Sequence, residues 1–370
     1  MPAALPFRVV AVLLILGSLP PAAAGADCER FRFAESSVTS EPGVELYVRS
    51  AGVGDPAVVV PGGFLLEDGL CALAERHRVI FYDMRNRGRS SPVTEGSRLT
   101  LEADIADLEA VRRHFDLDRM ALVGYSYLGK MVVVYALENP ERIARIVQLG
   151  PVPMDFFRSF PEHLAEPPLT ASGAFDDVVR EIRARRAEGL HESDPAAYCE
   201  LEWALQRRGL VGDPAVAESL ESDCDLPNEW PTRLAFHMQH HFLGSMVSAV
   251  VTPVEVATLH LPVLTLHGTL DRNAPYGGGR EWAASLPGAR LLTMEGMAHA
   301  MHEETDLVPI LSTFLAGGWP DGVEVVEPAA DGQRSQLQAW DLLRAASEAH
   351  GATADDEHAV RAAIRSLRRR

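Results

Sequence analysis

From residue 45 onward, short uninterrupted apolar runs alternate with stretches whose apolar positions recur every three or four residues. The runs fall at 57–60, 78–83, 119–123, 143–149, 262–267 and 290–294. Continuous aliphatic and β-branched runs of this length predict strands covered on both faces. Between them, Leu101, Ile105, Leu108 and Phe115 share one face of a helix, with Glu102 and Asp104 in its first turn, where negative charge suits the helix dipole. Strand–helix alternation predicts an α/β fold: a mostly parallel sheet flanked by helices, joined by right-handed crossovers.

The alternation stops over 151–261, a charged stretch of helix formers punctuated by Pro167, Pro168, Pro195 and Pro227, and resumes at Pro262. An insertion between two strands of a parallel sheet lies over their carboxyl ends, where open α/β sheets bind ligands. The expected organisation is a core of 27–150 with 262–317, a helical lid of 151–261, and a linker and helical tail of 318–370. Leu337 with Trp340, and Val360 with Ile364 and Leu367, mark the helical patterns of the tail.

At the N-terminus, Arg8 is the only charged residue before Asp27, and an apolar run over 9–16 precedes the small residues Ala22 to Ala26. The run is short for a membrane span, and Ala24 and Ala26 suit signal-peptidase cleavage. Residues 1–26 are therefore expected to be a signal peptide, the mature chain exported (secreted or periplasmic), with no stable membrane insertion. Cys28, Cys71, Cys199 and Cys224 remain after cleavage, and an even count in an exported chain permits two disulfides. Cys199 with Cys224, 25 apart inside the insertion, is the expected pair; Cys28 with Cys71 is the second. The formal charge of −18 disfavours nucleic acid and anionic lipid as partners.

Gly124, Tyr125, Ser126 and Tyr127 follow a buried strand and lead into a helical run over 128–138. Strand, tight turn and helix form the context of a nucleophile elbow, which projects a serine at a helix N-terminus. A serine needs a base to take its proton and an acid to orient that base. Asp271 lies just past the next strand but one, and His299 past the strand after that, following Gly296. Gly62 and Gly63 end another strand and allow backbone N–H groups to approach a developing oxyanion. Gly63 and Tyr127 are expected to supply those N–H groups, and Phe64 and Tyr125 to wall the substrate pocket. His302 is the rival base, whereas His267 is expected to be a structural hydrogen-bonding residue. His237, His240 and His241 have helical spacing but no nearby carboxylate or thiol in sequence, so a lid surface is expected rather than a metal site. Arg85, Arg87 and Arg89 are expected to pair structurally with carboxylates.

The chain from about residue 40 to 317 resembles the α/β-hydrolase superfamily, close to its proline-iminopeptidase-like branch. The segment Phe81 to Ser90 is similar to the superfamily's Asp-x-Arg-Gly-x-Gly-x-Ser loop, His267 to Pro275 to its acid loop, and Gly296 to His299 to its histidine loop. The resemblance implies an α/β-hydrolase fold with catalytic Ser126, Asp271 and His299. Three positions depart from the pattern: Leu128 where a small residue is usual, Asn86 for a glycine, and Pro61-Gly62-Gly63-Phe64-Leu65 for the iminopeptidase His-Gly-Gly-Pro-Gly. The expected function is a serine hydrolase cleaving a small-molecule ester, lactone or amide through an acyl-enzyme, with no cofactor and no metal. The alternatives are a proline-iminopeptidase-like aminopeptidase, with Glu200, Glu202 or Glu221 holding the substrate amine, and a catalytically silent binding module.

Overall fold

Eight strands form one sheet in the order β1-β2-β4-β3-β5-β6-β7-β8. They are β1 (Ala34–Glu41), β2 (Val44–Ala51), β3 (Ala57–Pro61), β4 (Val79–Tyr82), β5 (Met120–Tyr125), β6 (Ile143–Leu149), β7 (Val263–Gly268) and β8 (Ala289–Met294). The structure is a computed structural model describing residues 28–156, 158–166, 176–222, 224, 237, 240–241, 245 and 249–327. The expected signal peptide over 1–26 and the expected tail helices around Trp340 and Val360 lie outside these residues.

Strands β3 to β8 coincide with the six apolar runs, and all their mutual pairings are parallel. Successive residues of each strand enter opposite cores. Ala57 and Val59 join one cluster with Met120 and Leu122, while Val58 and Val60 join the other with Ala121 and Val123. That double burial is why these strands carry no polar alternation. Strands β1 and β2 form an antiparallel hairpin and were not anticipated. Their pattern differs for a physical reason: Val44, Leu46 and Val48 are buried while their neighbours are not, and β1 is an edge strand rich in Ser, Thr and Glu.

Helices α1 (Gly63–Leu70), α2 (Leu101–His114) and α3 (Tyr127–Glu138) follow β3, β4 and β5. Thr100 caps α2 by accepting from Ala103 N–H at 3.3 Å. Arg85 is buried in a fork on Asp107 at 2.7 and 2.8 Å and reaches Glu41 at 2.6 Å, the expected structural pairing.

The insertion between β6 and β7 carries the helices Asp176–Ala187, Leu190–Ser193, Pro195–Leu210, Pro214–Ser219 and Pro253–Val256. Cys199–Cys224 closes it as a disulfide, and Cys28–Cys71 ties the start of the described chain to the end of α1. Two short helices follow the histidine loop, Met301–Glu304 and Val308–Leu315. Pro309 explains the break, because its ring cannot follow a continuous helical turn; Asp306 Oδ1 accepts from Val308 N–H at 2.9 Å instead. Beyond Gly318 the chain stays on the domain as far as it is described. Glu324 and Leu291 exchange backbone hydrogen bonds of 2.8 and 2.9 Å, Trp319 packs 5.0 Å from Phe314, and Val326 is buried in the core. Among the described residues no helix is long and apolar enough to cross a membrane.

Candidate active site

Ser126 sits between β5 and α3 with φ 55° and ψ −123°, a backbone conformation L-residues rarely adopt. The flanking residues explain how the turn is held. A Cβ on Gly124 would stand 2.4 Å from the Leu128 carbonyl oxygen, so only glycine fits there. Ser126 N–H donates to Leu149 O at 2.8 Å, and Ser126 O accepts from Gly129 N–H at 3.0 Å. The unusual Leu128 is accommodated by Gly62, where a Cβ would come within 2.7 Å of its Cδ1. Tyr125 and Tyr127 are buried, but Ser126 between them is partly exposed.

The carboxyl ends of the neighbouring strands bring the other expected residues alongside. Leu149 pairs with Tyr125 on one side and Leu266 on the other, and β7 ends at Gly268 beside Met294 of β8. The acid and histidine loops pack backbone to backbone: Leu270 N–H donates to Met297 O at 2.9 Å, and a Cβ on Gly268 would stand 2.3 Å from that oxygen. His299 Nδ1 is consequently 2.7 Å from Asp271 Oδ2, with both side chains buried. Gly150 (φ 49°), one residue past the Ser126 contact at Leu149, lies against this pair. A Cβ there would be 3.3 Å from both His299 Nδ1 and Asp271 Oδ2.

Asp271 is fully enclosed, and burial alone would push its carboxyl up. The opposing influences win: His299 by charge and hydrogen bond, and His267 by hydrogen bond, hold it well below the usual carboxylate range. Its Oδ1 accepts from Asn273 and Ala274 N–H at 2.9 and 2.8 Å. His302 is also buried, with Glu303 Oε1 at 3.5 Å, and burial first and His299 second push its imidazole down to about 4. Asp271 thus pairs with His299 and not with this rival. The ring of Tyr125 stands between the two histidines, 4.8 Å from His299 and 5.1 Å from His302.

In the glycine loop, Gly62 takes a left-handed φ of 76° and Gly63 opens α1. Phe64 N–H donates to Asp83 Oδ1 at 2.8 Å, while Arg89 N–H donates to Oδ2 at 2.8 Å. One carboxylate therefore joins the glycine loop to the arginine loop. Burial pushes Asp83 up, against these backbone donors. Phe64 is half-buried under the Arg87 guanidinium at 4.6 Å.

Several participants had no visible signal in the sequence. Glu304 Oε1 accepts from Gly212 and Asp213 N–H at 2.8 and 3.0 Å, and Oε2 from Ala298 N–H at 2.9 Å, so it joins the insertion to the histidine loop. Asp104 Oδ2 is 2.9 Å from Tyr127 Oη and 2.8 Å from His241 Nε2. His237 and His241 are thereby buried and stacked at 4.5 Å rather than spread on a lid surface. The missing carboxylate is over 130 residues earlier in the chain, on α2. Among the described residues no group of three or more His, Cys, Asp or Glu is placed to hold a metal.

Known proteins share this architecture. A family model described as the alpha/beta hydrolase fold matches residues 61–306. A bifunctional esterase/perhydrolase of Acinetobacter calcoaceticus is 25% identical over 277 residues, 71% of this chain and 92% of that protein. A probable proline iminopeptidase of Leptolyngbya boryana is 22% identical, covering 61% of this chain and 74% of its own. Among solved structures, the 2-hydroxy-6-oxo-6-phenylhexa-2,4-dienoate hydrolase of Rhodococcus sp. strain RHA1 superposes with TM-score 0.59 at 19% identity, over 78% of this chain and all of that one. With that family match spanning most of the chain, and the sheet and its insertion arranged as described, the chain belongs to the α/β-hydrolase family and is a hydrolytic enzyme.

Proposed function

We propose that this enzyme is a serine hydrolase that cleaves a small-molecule ester, lactone or amide through an acyl-enzyme. Two observations carry it together: the buried 2.7 Å pair of His299 Nδ1 and Asp271 Oδ2, and a partly exposed serine in a strained elbow between β5 and α3. Ser126 Oγ attacks the carbonyl carbon while His299 Nε2 takes its proton. Asp271 fixes the tautomer and stabilises the imidazolium. The N–H groups of Gly63 and Tyr127 receive the oxyanion; Phe64 N–H is already engaged by Asp83, which supports Gly63 as the donor on that loop. His299 then protonates the leaving group, and water releases the acid by the same steps in reverse roles. Phe64 and Tyr125 wall the acyl pocket. The similarity to an esterase/perhydrolase supports ester chemistry, and two disulfides suit an exported protein.

The iminopeptidase alternative has the similarity to a probable proline iminopeptidase behind it. Of its candidate acids, Glu200 and Glu221 are exposed and Glu200 accepts from Ser222, which favours the ester or lactone assignment. Purified protein tested with a fluorophosphonate probe and a panel of acyl esters, lactones and prolyl amides separates the cases. Covalent labelling at Ser126 with ester or lactone turnover is expected. A protein that resists the probe would be a silent binder, and one that cleaves only prolyl amides would be the aminopeptidase.

A further inference from the structure

We propose that His267 is a positioning residue that keeps Asp271 anionic and aimed at His299, by donating a hydrogen bond through Nε2; this rests on the serine-hydrolase assignment above. His267 ends β7 and is fully buried. Its Nε2 lies 2.8 Å from the Ala274 carbonyl oxygen and 3.2 Å from Asp271 Oδ2. A carbonyl oxygen only accepts, so Nε2 carries the hydrogen and the tautomer is fixed. The same N–H is thus shared between the backbone that shapes the acid loop and the acid itself. It falls on Oδ2, the oxygen that also receives His299 Nδ1.

The other ring nitrogen shows that the site is shaped for this neutral tautomer. Nδ1 has no hydrogen-bond partner and abuts Gly279, where a Cβ would stand 2.2 Å from it. A hydrogen on Nδ1 would have no acceptor, and any side chain at 279 would displace the ring. Glycine in the helix Tyr276–Ser285, at a cost in helix propensity, makes room for the imidazole.

The chemical consequence follows from the shared oxygen. A second donor on Oδ2 lowers the basicity of Asp271, so the proton taken from Ser126 stays on His299. Without it, Oδ2 carries more negative charge and grips the His299 proton harder. His299 then becomes a base only at higher pH.

The test uses the rate of fluorophosphonate labelling of Ser126, which needs no knowledge of the substrate, measured against pH for H267F, H267Q and H267N. Phenylalanine fills the space without a donor, glutamine extends an amide N–H toward the Nε2 position, and asparagine is too short to reach Oδ2. H267F and H267N are expected to label about 10- to 100-fold more slowly, as loss of a hydrogen bond to a charged group implies. Their acid limb should move to higher pH, while H267Q recovers most of the rate. Should H267F not fold, the H267N–H267Q pair carries the comparison. Slower labelling with an unmoved acid limb in both H267F and H267N would reduce His267 to a packing role and overturn the proposal. If S126A and H299A still label at the native rate, the serine-hydrolase assignment itself fails, a result distinct from failure at His267 alone.

Discussion

Asp271 Oδ2 receives His299 Nδ1 at 2.7 Å in a region closed to water, and His302, three residues on, has no comparable acid. The expected kinetic outcome is unequal. Ser126→Ala and His299→Ala each lower kcat by about 1,000-fold or more, with Asp271→Asn somewhat milder, because such residues act as a unit. His302→Ala stays within about tenfold of the native kcat, a smaller loss than any triad member gives. Steady-state assays on a generic ester decide it; a His302→Ala loss matching that of Ser126→Ala, with His299→Ala active, would transfer the base role to His302.

His302 should instead register in stability. Burial holds its imidazole down to about 4. Below the ordinary value of about 6.5 the unfolded chain takes up a proton that the folded chain refuses. Stability therefore falls as pH drops from about 6.5 to about 4, by up to about 3 kcal/mol from this group, and levels off below. Urea unfolding at pH 7 and pH 4.5 should show a smaller pH difference in His302→Leu than in the native protein. Equal differences would mean that His302 stays neutral for no energetic reason of its own.

Gly124→Ala is expected to destabilise the protein by more than about 2 kcal/mol, since its methyl would lie 2.4 Å from backbone that cannot swing away. Gly43→Ala is the control: unlike Gly124 it has a positive φ, but open space surrounds it, so only the strain of that φ remains. Thermal unfolding of both variants gives the comparison, and a smaller loss at 124 than at 43 would mean the elbow backbone yields easily.

Truncation should distinguish the two parts of the region after Gly318. A chain ending at Glu327 keeps the Leu291–Glu324 pairing and buried Val326, and is expected to match the full chain in kcat and Tm. A chain ending at Gly318 loses both and should melt several degrees lower with kcat largely retained. A fall in kcat for the chain ending at Glu327 would mean that residues beyond 327 reach the active site.

Strands β3 to β8 were legible because burial of both faces leaves few polar residues in them, so their apolar runs show no competing period. β1 and β2 were not, since an edge hairpin half in water needs only three inward residues, Val44, Leu46 and Val48. The three loop residues at strand ends could be found in order because each follows its own strand. Partnerships across the fold left no such trace. Asp104 looked like a dipole-matching acid at a helix start, yet its buried carboxylate meets Tyr127 and His241. Glu304 ends a four-residue helix, yet its carboxylate takes three backbone N–H groups, two of them from the insertion. Sequence spacing encodes neighbours along one element, not which distant element will face it.

The Asp104 carboxylate also sets an energy scale for motion. It accepts from Tyr127, the residue after Ser126, and from His241 in the insertion, so one buried carboxylate joins the start of α3 to the inserted segment. Withdrawing His241 would strip a buried charge of a donor, costing about 1–3 kcal/mol. Opening at that point is thus about 5- to 150-fold rarer than it would be with an apolar seam. The insertion is tied to the sheet domain at His241 by a contact of moderate strength.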